Sequence, residues 1–443
     1  MSAKLIRIFK ALLPAPFTIA VILSVITFLL AYFLNPKEVS ALQLLSYWEE
    51  GLWNSPLLVF AMQMMLMLVL GHVLALSNTV SKYIDKASRL CTTTSRAAAW
   101  VTFLTLIVSF FNWGLGLVFG AIFARKVGEY ASKNNIPLNY PLIGAAGYSG
   151  LMVWHGGISG SAPIKIAEKG HFLESQMGVI SQSETIFSAM NISVSLVLLI
   201  VLPLVMYILG KKGESKQVVL SKQAIEHDET SVEGAERLDH SKLLAYSFGG
   251  TILLYCFYKA IILPEELSLS FITPNFINLF LLGLGISLHS SFSSFLKGIN
   301  QAIGGASGIL IQFPLYFGIM GLMNSSGLVG VFSDFFVSIS NATTFPIYTF
   351  ISAGIVNIFV PSGGGQWGVQ GPIIIEAASQ LNVPYWKSVM ALAYGDQITN
   401  MLQPFWALPL LGITGLKAKE ILPYSLLLML AGGIVFLSAL LLF

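Results

Sequence analysis

The sequence predicts an all-α polytopic membrane protein built from inverted-topology repeats, with about nine spans and two re-entrant hairpins with broken helices. Of its 443 residues, 55% are hydrophobic and 10% are charged, whereas soluble domains carry about 25% charged residues. The sequence contains repeated apolar runs whose length is close to the roughly 20 residues that a spanning helix needs. In each half, glycine and polar residues interrupt such a run, and irregular backbone survives at membrane depth only inside protein or beside a wet cavity.

The first two predicted spans set the orientation of the chain. They cover residues 14–34 and 55–76, and the loop at 78–97 after them carries four basic residues against one acidic residue. Loops rich in lysine and arginine stay on the cytoplasmic side. We therefore expect a cytoplasmic N-terminus. We also expect an uncleaved first span, because its apolar run exceeds the roughly 7–15 residues of a signal peptide.

The next apolar run predicts an inner hairpin near residues 98–125. Its middle reads Asn-Trp-Gly-Leu-Gly at 112–116, and it ends at Arg125 and Lys126. Because both ends of the run are positive, we expect the chain to enter and leave on the cytoplasmic side. The alternative is one long, tilted span with a glycine kink. The rest of the first repeat, which covers residues 1–210, is predicted to be a glycine-rich broken span at 140–166 and a span at 186–210.

A hydrophilic segment at 211–242 predicts a cytoplasmic linker between two repeats. Successive spans cross the membrane in alternating directions. Counted from the cytoplasmic linker, this alternation predicts that the later hairpin enters from the outer face and that the C-terminus lies outside. The second repeat, which covers residues 243–443, is predicted to contain spans at 243–263, 276–289 and 302–323, an outer hairpin near 345–380, a broken span at 389–416 and a last span at 422–443.

The two halves share an order of elements, which is a hairpin with a glycine-rich tip followed by a broken span. The spacing from Asn112 to Gly147 resembles that from Ser362 to Gly395. One hairpin is predicted to enter from inside and the other from outside, so the repeats are inverted. Inverted repeats with paired broken helices indicate a secondary transporter with a binding site near the bilayer midplane.

Three stretches carry a resemblance to a known family. They read NWGLGLVFGAIFAR, VPSGGGQWGVQGP and AYGDQITNMLQPFWALPLLGITGL. With them the sequence resembles the short-chain fatty acid transporter family, the acetoacetate and butyrate permeases of bacteria. The resemblance runs nearly end to end. Where some relatives have Gly-Glu-Gln, this chain has Asp396 and Gln397 after Gly395, which keeps the charge and shortens its reach.

The resemblance implies a secondary active transporter of short-chain monocarboxylates in the bacterial cytoplasmic (inner) membrane. It also implies coupling to Na⁺ or H⁺, an elevator-like alternating-access motion and a homodimer. A carrier of another small organic anion, such as a dicarboxylate, and a channel are the alternatives. Uptake scanned over several acids with imposed Na⁺ or pH gradients would separate them.

A short-chain fatty acid needs donors for two carboxylate oxygens and a small apolar pocket. Backbone N–H groups at hairpin tips and half-helix N-termini supply donors. Two tryptophans can wall the alkyl part, and no buried lysine or arginine is evident within these motifs. We therefore predict a site of neutral dipoles. The predicted substrate-binding residues are Asn112, Trp113, Gly114, Gly116, Ser362, Gly363, Gly364, Gly365, Gln366, Trp367 and Gln370.

The predicted coupling-ion residues follow Gly395. Asp396, Asn400 and Gln403 fall at i, i+4 and i+7, hence on one face of a helix, and Gln397 is adjacent. A carboxylate at the bilayer centre costs about 2.5–3.5 kcal/mol on insertion scales, so Asp396 is a functional candidate. It would ligate Na⁺ or accept a proton; the alternative is a structural hydrogen bond that closes the helix break. His155 is a candidate proton relay, or it bonds a neighbouring carbonyl.

Other classes of protein find little support in the sequence. We predict no enzyme, because no nucleophile–base pair and no HExxH element lies in the spans. We expect no cofactor, no metal beyond Na⁺ at Asp396, and no nucleic-acid partner, since the net charge of +3 is spread over loops. The expected partners are a small carboxylate and the lipid bilayer.

Overall fold

The computed structural model describes residues 16–34, 39–218, 220, 234–264, 269, 271–360 and 362–443. Within these ranges the fold is helical, and the β pairing is an isolated bridge between Leu138 and Lys216. Seven helices there are long and apolar enough to cross a membrane. The predicted class, an all-α polytopic membrane protein, is confirmed; the count of nine spans and the inverted relation of the halves stay predictions.

The helices of the first half are numbered in chain order. They are α1 (Pro16–Leu34), α2 (Ala41–Leu52), α3 (Ser55–Ala75), α4 (Asn78–Ser88), α5 (Thr94–Phe111), α6 (Trp113–Lys133), α7 (Tyr140–Tyr148), α8 (Ser161–Lys165), α9 (Glu174–Met177) and α10 (Ala189–Lys212). A 3-10 turn, Ser149–Met152, continues α7.

The second half begins at α11 (Lys242–Phe257), which a π-turn extends to Ile262. The other helices are α12 (Pro274–His289), α13 (Phe292–Ala302), α14 (Ser307–Ser326), α15 (Leu328–Ile339), α16 (Phe345–Phe359), α17 (Gly363–Gln380), α18 (Tyr385–Thr399), α19 (Pro404–Thr414) and α20 (Ala418–Leu442). Pro361 and part of the predicted linker, namely 219 and 221–233, lie outside the described residues.

The helices pack into two groups. In the first group, α14 packs on α1, α2 and α3, and α12 packs on α3 and α11. The second group contains α5–α7, α10 and α16–α20, and therefore both hairpins. The groups meet chiefly where α3 packs on α6, and where α14 and α15 pack on α17.

The first hairpin bends at Asn112. Its backbone is extended there (φ −150°, ψ 123°), so α5 ends and α6 begins at the next residue. A β-carbon built on Gly116 would lie 2.6 Å from Ser109 Cα, and one on Gly120 would lie 2.9 Å from Thr105 Cγ2. These pairs are equally spaced about the bend, so α5 and α6 run antiparallel in close contact.

The second hairpin bends just before α17. Ser362 is extended (φ −162°, ψ 110°), and its hydroxyl accepts the Gly365 N–H at 3.2 Å, which caps the helix. One turn into α17, Gln366 Nε2 donates to the Ala353 carbonyl of α16 at 2.8 Å. This bond connects α17 to α16 on the far side of the bend.

Both predicted broken spans are interrupted. The first begins with α7 and its 3-10 turn. Residues 153–160 then form no helix, and α8 follows them. The second ends α18 at Thr399, passes a 3-10 turn at Asn400–Leu402, and is extended at Gln403 (φ −91°, ψ 113°). The expectation that Asp396, Asn400 and Gln403 share one helical face is therefore wrong, because the helix stops between them.

Two amphipathic helices, α2 and α13, lie in segments read as loops from the sequence. Glu49 and Glu50 made the first segment look hydrophilic, yet α2 packs along α14. A β-carbon built on Gly51 would lie 2.9 Å from Gly318 Cα. The absence of that side chain allows the two backbones to approach closely, which fixes α2 against the first group.

Candidate functional site

The candidate site centres on Asp396 and His155. Asp396 lies in α18, and His155 lies in the non-helical stretch that interrupts the first broken span. His155 Nδ1 and Asp396 Oδ2 are 2.6 Å apart, and both side chains have no solvent exposure. Neither Asp396 oxygen has a hydrogen-bond partner of regular geometry among the described residues. The contact is thus a close electrostatic one between buried groups, and it joins the two predicted repeats.

The hydrogen bond of the other ring nitrogen of His155 indicates the protonation state of the imidazole. His155 Nε2 accepts the backbone N–H of Ala162 at 3.1 Å. A nitrogen that accepts a hydrogen bond carries no proton, so the ring is neutral and its one proton is on Nδ1. The histidine therefore supplies a dipole to Asp396, not a full positive charge.

The tip of the second hairpin lies against the same carboxylate. A β-carbon built on Gly363 would lie 2.7 Å from Asp396 Oδ2 and 3.0 Å from His155 Cε1. Gly363 is the first residue of α17, where helix N–H groups have no intrahelical acceptor. The positive end of the helix dipole favours negative charge at this place. The tip thus faces an acidic group in this structure.

Stacked aromatic rings connect the first hairpin tip to the same pair. Trp154 stacks on His155 with ring centroids 4.6 Å apart, and Trp113 lies 5.6 Å from Trp154. The Trp406 ring meets Trp113 edge-on at 5.5 Å. The backbone N–H of Trp113 donates to Ser159 Oγ at 2.9 Å, which fixes the hairpin tip to the broken span. The structure therefore brings both predicted hairpin tips to one buried cluster.

Asn357 of α16 holds the break in the second span. Its Nδ2 lies 2.5 Å from the Asp396 carbonyl and 2.8 Å from Asn400 Oδ1. Gln403 Nε2 donates to the Asn357 carbonyl at 2.6 Å. The Asn400 and Gln403 side chains thus close the helix break, while the carboxylate of Asp396 points to His155. Gln397 Oε1 accepts the backbone N–H of His155 at 2.9 Å and so positions that residue.

The other predicted substrate residues divide by their surroundings. Asn112 Oδ1 accepts the Leu115 N–H at 2.7 Å and caps α6, while Gly114 and Gly116 sit against the Leu68 backbone and Ser109 in close helix packing. Gly364 and Gly365 lie against aromatic rings, Phe60 and Phe313 for the first and Tyr316 for the second.

Three further residues lie along α17, beyond its first turn. Gln366 Nε2 also donates to Gln370 Oε1 at 2.7 Å. Gln370 borders a cavity of about 300 Å³ lined mostly by apolar residues of α1 and α14–α17. The Trp367 ring is fully buried, with its centroid 6.1 Å from that of Phe172.

Several residues that complete the site were missed from the sequence. Asn357 stands alone in the apolar run of α16, and that isolation is the signal that could have found it. Tyr148 donates to the Asn400 carbonyl at 2.7 Å, and Tyr394 donates to Asn191 Oδ1 at 2.9 Å.

The chemistry of this cluster follows from its charge. A fully buried carboxylate with a neutral neighbour is costly, and it is stabilised by taking up a proton or a cation. Helix breaks that bury such a group at the meeting point of two hairpins are the arrangement of membrane transport proteins. Fold and site together define a multi-pass transport protein.

Comparison with known proteins gives the family. A family model described as short chain fatty acid transporter matches residues 1–443, so the chain belongs to that family. An Escherichia coli K12 protein whose name assigns it to short-chain fatty acid transport is 37% identical over 97% of this chain and 96% of its own. A Haemophilus influenzae protein named in the same way is 38% identical over 94% of this chain and 93% of its own.

Two solved structures share the fold. The YdaH transporter of Alcanivorax borkumensis, described as having an unusual topology, superposes with a TM-score of 0.59 at 12% identity, over 96% of this chain and 98% of that one. Neisseria gonorrhoeae MtrF, described within a class of antimetabolite efflux pumps, gives 0.56 at 12% identity, over 96% and 95%. These likenesses support the architecture alone.

Proposed function

We propose that this protein is a proton-coupled secondary active transporter of short-chain monocarboxylates, such as butyrate and acetoacetate, in the bacterial inner membrane. Family membership supports the substrate class. One observation carries the coupling: the Asp396 carboxylate is fully buried, and a neutral His155 lies 2.6 Å away. In this proposal Asp396 is the group that takes up and releases the coupling proton.

A proton fits this carboxylate better than Na⁺ does. Sodium is held by several oxygen ligands at once. Besides Asp396 Oδ2, the atoms nearest to a β-carbon built on Gly363 are instead ring carbons of Trp154 and His155, which are not Na⁺ ligands. A proton needs one oxygen and no cage. Protonation also removes the cost of a buried negative charge beside a bound carboxylate.

The substrate would bind beside the second hairpin tip. N–H groups of the first turn of α17 are the donors for its carboxylate oxygens. The rings of Phe60 and Phe313 lie against Gly364 and form an apolar wall for a short alkyl chain. We propose that the carboxylate and the Asp396 proton arrive together, because two negative charges at one buried tip repel each other.

The two packing groups suggest how access alternates. Both hairpins belong to the second group, so movement of that group against α1–α3 and α11–α14 would carry the site as a unit. This is the elevator-type motion that the family resemblance implies. In the same proposal the N-terminus is cytoplasmic, the C-terminus is external, and the first group supplies the contact of a homodimer.

The test uses purified protein in proteoliposomes with radiolabelled acetoacetate and butyrate. Initial uptake is measured with an inside-alkaline pH gradient, with an inward Na⁺ gradient and with neither. Protein-free liposomes subtract passive entry, because the neutral acids cross bilayers unaided. We expect uptake to follow the pH gradient and to be unaffected by Na⁺.

The D396N variant is the matched control for coupling. Asparagine keeps the size of the side chain and imitates the protonated acid, so exchange of labelled for unlabelled substrate continues while gradient-driven accumulation is lost. Accumulation driven by Na⁺ alone would refute proton coupling. Uptake of succinate in preference to butyrate would refute the substrate class and favour a dicarboxylate carrier.

A further inference from the structure

A second buried charged cluster lies outside the site described above. Lys165, the last residue of α8, has a relative exposure of 3%. Among the lysines and arginines in the described ranges, it is the one that is buried. Its Nζ lies 2.6 Å from Glu168 Oε2 and 3.4 Å from Gln63 Oε1. A buried ammonium requires a compensating partner, and here Glu168 provides it.

This cluster crosses the boundary between the two packing groups. Gln63 of α3 donates to Glu168 Oε1 at 3.0 Å and to Asn275 Oδ1 of α12 at 3.0 Å. Both α3 and α12 belong to the first group. Lys165 ends α8, which packs on α17 and α18 of the second group. The ion pair therefore sits where the two groups meet.

One aromatic ring separates Lys165 from the second hairpin tip. Lys165 Nζ lies 5.6 Å from the centroid of Phe60. A β-carbon built on Gly364 would lie 3.0 Å from Phe60 Cε1. Phe60 is thus held between the ammonium group and the first turn of α17. A rotation of this ring would join the two into one pocket with a cation, an apolar wall and a helix N-terminus.

We propose that Lys165 is the cationic anchor of the substrate carboxylate, and that Glu168 is the counterion that the substrate displaces. This inference rests on the proposed function and adds a binding residue to it. The Glu168 side chain is 16% exposed, whereas that of Lys165 is 4% exposed. Glu168 can therefore turn toward water when a substrate carboxylate takes its place on Nζ. The prediction of a site made only of neutral dipoles is replaced by one with a single buried cation.

Competition between the Glu168 carboxylate and the substrate carboxylate would also couple substrate binding to the movement of the two packing groups. While Glu168 holds Lys165, Gln63 and Asn275 bond the same carboxylate and tie the groups together. When the substrate occupies Nζ, Glu168 leaves and these bonds across the boundary weaken. Substrate binding thereby loosens the contact that opposes movement.

The experiment measures equilibrium binding of labelled butyrate to the full-length protein in detergent, with butyramide as the neutral competitor. The variants are K165Q, E168Q and K165Q/E168Q, and K297Q at an exposed lysine of α13 is the matched control. Thermal melting verifies that each variant is folded. The double variant removes both charges, so it leaves no unpaired buried ion.

We expect K165Q/E168Q to be folded and to bind butyrate about 10- to 150-fold more weakly than wild type, the loss that corresponds to one charge-assisted hydrogen bond. E168Q should bind more tightly than wild type, because the competing carboxylate is gone. K297Q should bind as wild type does. Butyramide should compete poorly against wild type.

Two other results would overturn the inference. Wild-type affinity in K165Q/E168Q would make the ion pair purely structural, and the proposed function would still stand. Unchanged or weaker binding in E168Q would contradict displacement even if the double variant failed to fold. Absence of butyrate and acetoacetate binding by the wild-type protein would instead refute the proposed function, so the two failures are distinguishable.

Discussion

Substitution of Gly363 by alanine is a sharp test of the geometry at the second hairpin tip. The added methyl group would lie 2.6 Å from Trp154 Cη2 and 2.7 Å from Asp396 Oδ2. These neighbours are buried aromatic and carboxylate atoms with no outward path. Overpacking of this kind costs about 1–3 kcal/mol. Relief of the clash must push Asp396 away from His155 or the tip away from both.

The expected effect of G363A on transport exceeds its effect on stability. Displacement of a reacting group by about 1 Å can cost on the order of 100-fold in rate. We therefore expect initial uptake in proteoliposomes to fall by about that factor, with a modestly lower melting temperature. G412A in α19 is the matched control, because its β-carbon would have no neighbour within 4 Å. Wild-type uptake by a folded G363A protein would refute the placement of Asp396 at the tip.

Three further expectations follow from other parts of the fold. N357A removes the side-chain amide that donates to the Asp396 carbonyl and to Asn400 Oδ1, and we expect a loss of about 1–3 kcal/mol in thermal unfolding because these buried acceptors lose their donor, while wild-type melting would contradict its bridging position. Burial raises the pKa of the Cys91 thiol to about 12, so maleimide should label it slowly at neutral pH and rapidly after denaturation. Burial lowers the pKa of His171 from 6.5, so the stability that its neutral ring contributes above that pH is lost as the solution becomes more acidic. An H171N variant should have a flatter melting temperature against pH below that point, and an unchanged slope would exclude His171 as the cause.

The sequence was sufficient to predict the elements that composition and local pattern determine. Apolar runs predicted the long helices, and Asn112 and Ser362 were identified as hairpin positions because polar residues before glycines interrupt such runs. Both residues cap the next helix through their side-chain oxygens. These features depend on a few neighbouring residues, so they can be read from one stretch of chain.

Contacts between distant segments could not be predicted in the same way. His155 and Asp396 were each identified, but their 2.6 Å contact depends on how α18 packs against the non-helical stretch before α8. Asn400 and Gln403 were assigned to ion coupling from helical spacing, and the helix break redirects them to Asn357. The roles of Asp396 and the tip residues in transport stay predictions.

Lys165 illustrates a different limit of sequence reading. A lysine close to a glutamate at the edge of an apolar span looks like an ordinary charged end. Its burial results from Gln63 and Asn275, which arrive from two other helices. Only the packing of three segments converts a span end into a buried cation.

Proton uptake on substrate binding is the most direct measure of the coupling role proposed for Asp396. Butyrate is added to detergent-solubilised protein in weakly buffered, mildly alkaline solution, and the pH change is recorded beside the amount bound. We expect about one proton to be absorbed per butyrate bound by the wild type and none by D396N. Binding that requires Na⁺ and leaves the pH unchanged would contradict it.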